Sequence, residues 1–183
     1  MKKRSSYPNA KGFSNAFLQS LSDTFDRPYI GYAYGFAEYI KMPRVSGTYY
    51  RRTIARMKAR GWIDEAEREG NKFLKLTKKG KLRKFYYQLQ GLERPSRKSW
   101  GGTWWLALFD IPEHQGAQER HRLRSALKRV GFACLQKSVY IYPYKIPDVL
   151  VEYLRISGLN RFVRFFHVDQ VDDIKDLRRR CQI

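Results

Sequence analysis

Only two cysteines, Cys134 and Cys181, occur in the 183 residues, and they lie far apart, outside any C-x-x-C spacing. That argues against a disulfide framework and against a cysteine-built zinc site; two free thiols fit a reducing cytoplasm. No apolar run approaches the roughly 20 residues that a spanning helix needs, so a membrane location is not expected. Met1-Lys2-Lys3-Arg4 leads into polar residues, and no secretory leader is expected. There is no P-loop, no Rossmann glycine pattern, no G-x-S-x-G and no Cys-His pair at a recognisable spacing, which removes the commonest signatures of nucleotide-driven and nucleophilic chemistry. Acidic residues are scarce as well: 17 Asp+Glu face 37 Lys+Arg, for a formal charge of +20.

What remains is a basic chain that can fold. Hydrophobic residues make up 43%, enough for a core and too many for wholesale disorder, and the length suits one domain or two small ones. The charge is uneven. Residues 1–99 hold 23 Lys+Arg against 8 Asp+Glu, and residues 100–183 hold 14 against 9. Such a field attracts polyanions, nucleic acid foremost.

Residues 1–12 read as a basic tail. Phe13, Ala16, Phe17 and Leu21 space a short amphipathic helix. Asp26 and Pro28 open a second helix, aromatic on most sides, that runs to about Ile40. Ser46 is placed to cap a third, from Gly47 to Arg60, with Tyr50, Ile54 and Met57 as its inward stripe and Tyr49, Arg52 and Arg56 aligned outward. Gly61 ends it. Trp62-Ile63 and Phe73–Thr77 then read as two short strands around a charged stretch with a Gly70-Asn71 turn, and Leu82, Phe85, Tyr86 and Leu89 mark a further helix. Three helices and a hairpin are the order of a winged helix-turn-helix over residues 13–90. Residues 91–102, GLERPSRKSWGG, read as a linker.

Residues 103–183 change character. Trp104–Phe109 is a continuous apolar run, read as a strand buried on both faces. Leu123, Ala126, Leu127 and Val130 follow at helical spacing, with Gly131 at the helix end. Val139–Tyr142 is a second β-rich run, and Cys134 in the strand before it reads as a small core residue. Pro147 starts a helix carrying Val149, Leu150, Tyr153 and Leu154, and Phe162–Phe166 supplies a last core strand. Val171, Ile174 and Leu177 are candidate anchors for a closing helix or an added edge strand. The expected class is α+β: a winged helix-turn-helix followed by a ferredoxin-like βαββαβ domain.

The string ARMKARGWID…KFLKLTKKGK resembles the recognition-helix, wing and closing-strand segment of bacterial winged-helix regulators. A helix with arginines on its free face suits the major groove. The expected contacts to double-stranded DNA are Ser46, Thr48, Tyr49, Arg51, Arg52 and Arg56 on that helix and Arg68, Asn71 and Lys72 on the wing. The run Trp104–Phe109 into Asp110-Ile111-Pro112-Glu113, then Arg122–Phe132, then Leu135–Tyr140, resembles the central domain of the PaaX-type repressors. That domain is similar to the small adaptation subunit of CRISPR systems. The resemblance covers about residues 28 to 168. It implies a cytoplasmic homodimer, joined through the ferredoxin-like domains, that regulates transcription as a DNA-binding repressor. The PaaX-type repressors carry a further C-terminal region and sense an aryl-CoA thioester; the resemblance does not reach that region, and no effector is carried over. In the CRISPR subunit the aspartate ending the first strand is the proposed Mg²⁺ ligand at the dimer interface, and Asp110 holds that position here. A Mg²⁺-dependent nuclease related to CRISPR adaptation is therefore one alternative, and a non-catalytic nucleoprotein scaffold is another. No cofactor is expected beyond Mg²⁺ at Asp110 of a dimer.

Overall fold

In the computed structural model of the chain, residues 17–19, 21, 47–68, 71–93, 95–112 and 116–183 are described. The basic tail, the aromatic helix to Ile40 and the Ser46 cap lie outside them; of the first expected helix, Phe17–Gln19 are described, and these are helical. The chain divides into two compact units, Met1–Lys84 and Phe85–Ile183.

In the first unit, α1 spans Gly47–Ala59 and buries Tyr50, Thr53, Ile54 and Met57 on one stripe. Phe17 meets the Tyr50 ring edge-on, with centroids 6.0 Å apart. The helix closes where Gly61, at φ 63°, donates to Lys58 O, and Trp62 to Met57 O; glycine takes this left-handed turn without a Cβ clash. Strands β1 (Ile63–Arg68) and β2 (Asn71–Leu76) form an antiparallel ribbon with Arg68 opposite Asn71. The charged stretch expected to separate two short strands is itself strand. The ladder explains it: Asp64 stands opposite Lys75, and Glu67 opposite Lys72, and facing opposite charges support pairing despite poor β-propensity.

Helix α2 (Lys78–Gln90) begins against the ribbon. Thr77 Oγ1 accepts from Gly80 N at 3.0 Å, a side-chain cap on the new helix. The same hydroxyl donates to Gly61 O at 2.6 Å, tying the helix start to the end of α1.

The second unit follows the ferredoxin-like plan. Its elements are β3 (Trp104–Phe109), α3 (Ala117–Val130), β4 (Ala133–Gln136), β5 (Val139–Tyr142), α4 (Asp148–Ser157) and β6 (Val163–Val168), and then a closing helix α5 (Ile174–Cys181). The sheet order is β4-β5-β3-β6, antiparallel throughout. Apolar side chains on α3 (Leu123, Ala126, Leu127, Val130) and on α4 (Leu150, Tyr153, Leu154) are buried. Gly131, at φ 107°, donates to Leu127 O and Lys128 O and turns the chain out of α3.

Registers divide the sheet into two faces. Ala107, Phe109, Tyr140, Tyr142 and Val163 share one face, and all are buried. On the other, Trp104, Ile141 and Leu177 of α5 form a core, with Trp100, Leu135, Val168 and Val171 packed against it. The rest of that second face is open: Leu108 is 38% exposed and Phe166 is 49% exposed. The first strand is therefore central, but not buried on both faces along its length, because α5 covers only its Trp104 end. Cys134 is likewise exposed rather than a core residue. It lies on edge strand β4, where Ala133 and Leu135 turn toward the α5 cluster and Cys134 turns the other way.

Candidate nucleic-acid interface

Helix α1 has no acidic residue. Burial of Tyr50, Thr53, Ile54 and Met57 sets its free face by geometry: Thr48, Arg52, Ala55 and Ala59 fall opposite that stripe, and Arg51 and Arg56 flank them. Thr48, Arg51, Arg52 and Arg56 are exposed, as expected for groups that meet a ligand. Tyr49 is only partly exposed and lies toward the flank rather than the crest.

Sequence reasoning missed the part played by Thr53. It is fully buried, and its Oγ1 accepts from Arg56 Nη2 at 3.2 Å. A guanidinium held one turn from its own backbone loses less rotamer freedom on meeting an acceptor. The signal was a hydroxyl three residues before an arginine, the i, i+3 spacing at which helical side chains touch. Arg60 was also passed over; its guanidinium sits 4.9 Å from the centroid of the Trp62 ring, and that of Arg83 at 5.1 Å from the same ring. Both cations are thus gathered at the base of the β1–β2 ribbon. On the ribbon itself, Arg68 and Asn71 close the ladder next to the connection and Lys72 follows; the side chains of these three, like Ser46, lie outside the described residues.

Asp110 is far from these groups in sequence and ends β3 with an exposed side chain. Its backbone N–H donates to Phe162 O at 3.1 Å, so the residue also ties the strand end to the start of β6. It borders an open hollow of about 510 Å³, lined by Leu108, Ser138, Val139, Arg161, Arg164 and Phe166 among others. Among the described residues no three His, Cys, Asp or Glu side chains gather as a metal site would require. Within one chain the described residues around the hollow offer one carboxylate, Asp110, beside the guanidinium groups of Arg161 and Arg164; the expected Mg²⁺ would draw on Asp110 of two protomers.

In the second unit Tyr140, Tyr153 and the partly buried Cys181 have raised pKa values, each mainly through burial. Burial pushes the Tyr140 hydroxyl up to about 12, helped by its hydrogen bond with Cys134. Burial pushes the Cys181 thiol up to about 11. None of them is poised as a nucleophile at neutral pH.

No described helix is long and apolar enough to cross a membrane. No curated protein matches the chain. Residues 97–179 match the family described as the PaaX protein central Cas2-like domain, and this is the stretch that folds as β3-α3-β4-β5-α4-β6 with most of α5. The second half of the chain therefore carries a domain like the central domain of PaaX-type proteins.

Proposed function

We propose that the chain is a DNA-binding transcriptional regulator, acting as a repressor and as a homodimer, with the first unit serving as a winged helix-turn-helix. One observation carries this reading. Helix α1 offers Arg52 between Arg51 and Arg56 on a free face without acidic residues, above a fully apolar-plus-threonine buried stripe. A helix of that build enters the major groove, where arginine pairs bidentately with guanine O6 and N7. The β1–β2 ribbon serves as the wing, and Arg68, Asn71 and Lys72 near its tip are the residues assigned to phosphates or the minor groove. The PaaX-type central domain supports the regulator reading over a nuclease.

The dimer uses the open part of the sheet around Leu108 and Phe166. Exposed apolar side chains on a flat strand surface are the usual mark of a buried partner face. A two-fold dimer presents two α1 helices to half-sites of a palindrome, about one helical turn apart or a multiple of it.

The test is selection of genomic duplex fragments by the purified full chain, followed by affinity measurement on the selected sequence. A selected palindrome, with Arg52→Ala weakening binding by about 1–3 kcal/mol, is the expected result. No duplex preference over heparin, with Arg52→Ala binding as tightly as wild type, overturns it.

A further inference from the structure

We infer that α3 of the second unit is a second DNA-binding surface, which grips backbone phosphates of the bound duplex. The inference rests on the DNA-binding reading above and extends it to a part of the chain with no winged-helix character.

The observation is how the charge of this half of the molecule is placed and compensated. Residues 100–183 hold 14 Lys+Arg against 9 Asp+Glu, a net of +5. Helix α3 alone holds five Lys+Arg against one Glu, a net of +4, within 14 residues. The excess sits on two helices, α3 at +4 and α5 at +3 (Lys175, Arg178, Arg179 and Arg180 against Asp176), and α3 is the more basic. Its neighbours show what an ordinary charged surface looks like here. On α5, Arg179 and Arg180 both pair with Asp176; on α4, Arg155 pairs with Glu152. On α3 the partners are neutral. Arg120 donates to Ile111 O and Pro112 O, at 3.3 and 3.4 Å. Arg124 donates to Lys137 O at 3.2 Å. Arg129 donates to Tyr86 Oη at 2.6 Å, with its guanidinium 4.6 Å from that ring's centroid. Neutral acceptors fix where these guanidinium groups point but leave their positive charge uncancelled. Arg122 and Lys128 are exposed and make no ion pair among the described residues.

Geometry makes this a ridge. The buried stripe Leu123, Ala126, Leu127 and Val130 places His121, Ser125 and Lys128 at the outer crest, with Arg122 and Arg129 along one flank. His121 Nε2 lies 3.4 Å from Ser125 Oγ, so the crest carries hydrogen-bonding groups as well as charge. Arg122 and Arg129 are two turns apart, roughly 10 Å along the axis, about the axial rise of three nucleotides of one strand. Solubility does not require such an arrangement, since mixed signs serve it equally. A polyanion of regular spacing does.

The experiment measures affinity of the full chain, against salt, for the selected duplex in two lengths: the minimal protected site, and the same site with about one helical turn (about 10 bp) added on each side. The variant is Arg122→Glu with Lys128→Glu. The control is Lys145→Glu with Lys175→Glu, which changes net charge equally at two exposed positions elsewhere. The expected result is about tenfold weaker binding to the longer duplex and a salt slope smaller by about two, with the control close to wild type. Arg122→Gln with Lys128→Gln gives a smaller change of the same sign and guards against misfolding of the charge-reversed chain. An unchanged slope, or an equal loss in the control, overturns the inference. So does loss of binding to polyglutamate with duplex affinity intact, which would mark the ridge as a surface for acidic proteins. If Arg52→Ala abolishes duplex binding while the α3 variant leaves the slope alone, only this inference falls. If the wild-type chain binds no duplex, the functional reading falls with it.

Discussion

Gly80, in the first turn of α2, lies so close to Trp62 that a Cβ placed on it would stand 1.8 Å from the Trp62 carbonyl oxygen. The same oxygen accepts the Thr77 backbone N–H at 3.1 Å, so it has no freedom to retreat. Gly80→Ala should gain up to about 1 kcal/mol of helix propensity and lose more to the clash. The expected outcome is a net destabilisation of about 1–3 kcal/mol, seen as a lower urea midpoint with an unchanged slope.

Thr77 caps α2 and binds the end of α1 through one hydroxyl. Thr77→Ala should cost about 1–2 kcal/mol, and Thr77→Ser should recover most of it. Thermal unfolding of the three proteins checks the ranking. Equal stability of Ala and Ser variants would mean that the methyl group matters and the hydroxyl does not.

Thr53 positions Arg56 without facing solvent. Thr53→Val keeps the shape and removes the acceptor, so duplex affinity should fall a few-fold, in the direction of Arg56→Ala but by less. In the double variant the two losses should not add, because they act through one guanidinium.

Leu108→Glu with Phe166→Glu places two carboxylates on the open sheet face. The expected outcome is a shift from dimer to monomer in sedimentation equilibrium, with the fold intact by circular dichroism. A dimer of undiminished affinity would locate the interface elsewhere.

Stability should fall in alkali. The thiol of Cys181 and the hydroxyl of Tyr140 are both raised in the folded chain, to about 11 and about 12. The folded state therefore holds these protons more tightly than the unfolded one, and the resulting stabilisation is whole below the unfolded values, near 9 and 10. It is lost as pH rises through the folded values. Urea midpoints measured from pH 8 to 11 check the trend, and Cys181→Ala should flatten its first part. In thiol labelling, exposed Cys134 should react well before Cys181.

Much of the second unit was legible because its elements carry their own punctuation. Leu123, Ala126, Leu127 and Val130 repeat at helical spacing up to Gly131, and Pro147 and Gly158 bracket α4. What escaped depends on contacts distant in sequence. Leu108 and Phe166 looked like core because composition does not say how far α5 reaches across a sheet. Cys134 looked like core because nothing local shows that β4 is an edge. Thr53 drew no reading because its value lies in a bond to Arg56. The uncompensated charge of α3 was present in the letters, but only the pairing of arginines on α4 and α5 with carboxylates shows that it differs from an ordinary solvated helix.

The facing charges on the β1–β2 ribbon have a further consequence. Asp64 and Glu67 are three residues apart in one strand, so their couples with Lys75 and Lys72 lie on opposite faces. Shifting the strands by one residue would part Asp64 from Lys75 and also part Ile63 from Leu76, the buried pair at the ribbon's base, so charge and burial specify the same alignment. Among the described residues each strand of the ribbon pairs only with the other, which leaves two edges that invite strands from other chains. Here any intruder beside β1 meets Asp64, Glu65 and Glu67, and any beside β2 meets Lys72 and Lys75. The charges that align the hairpin also keep it from recruiting copies of itself.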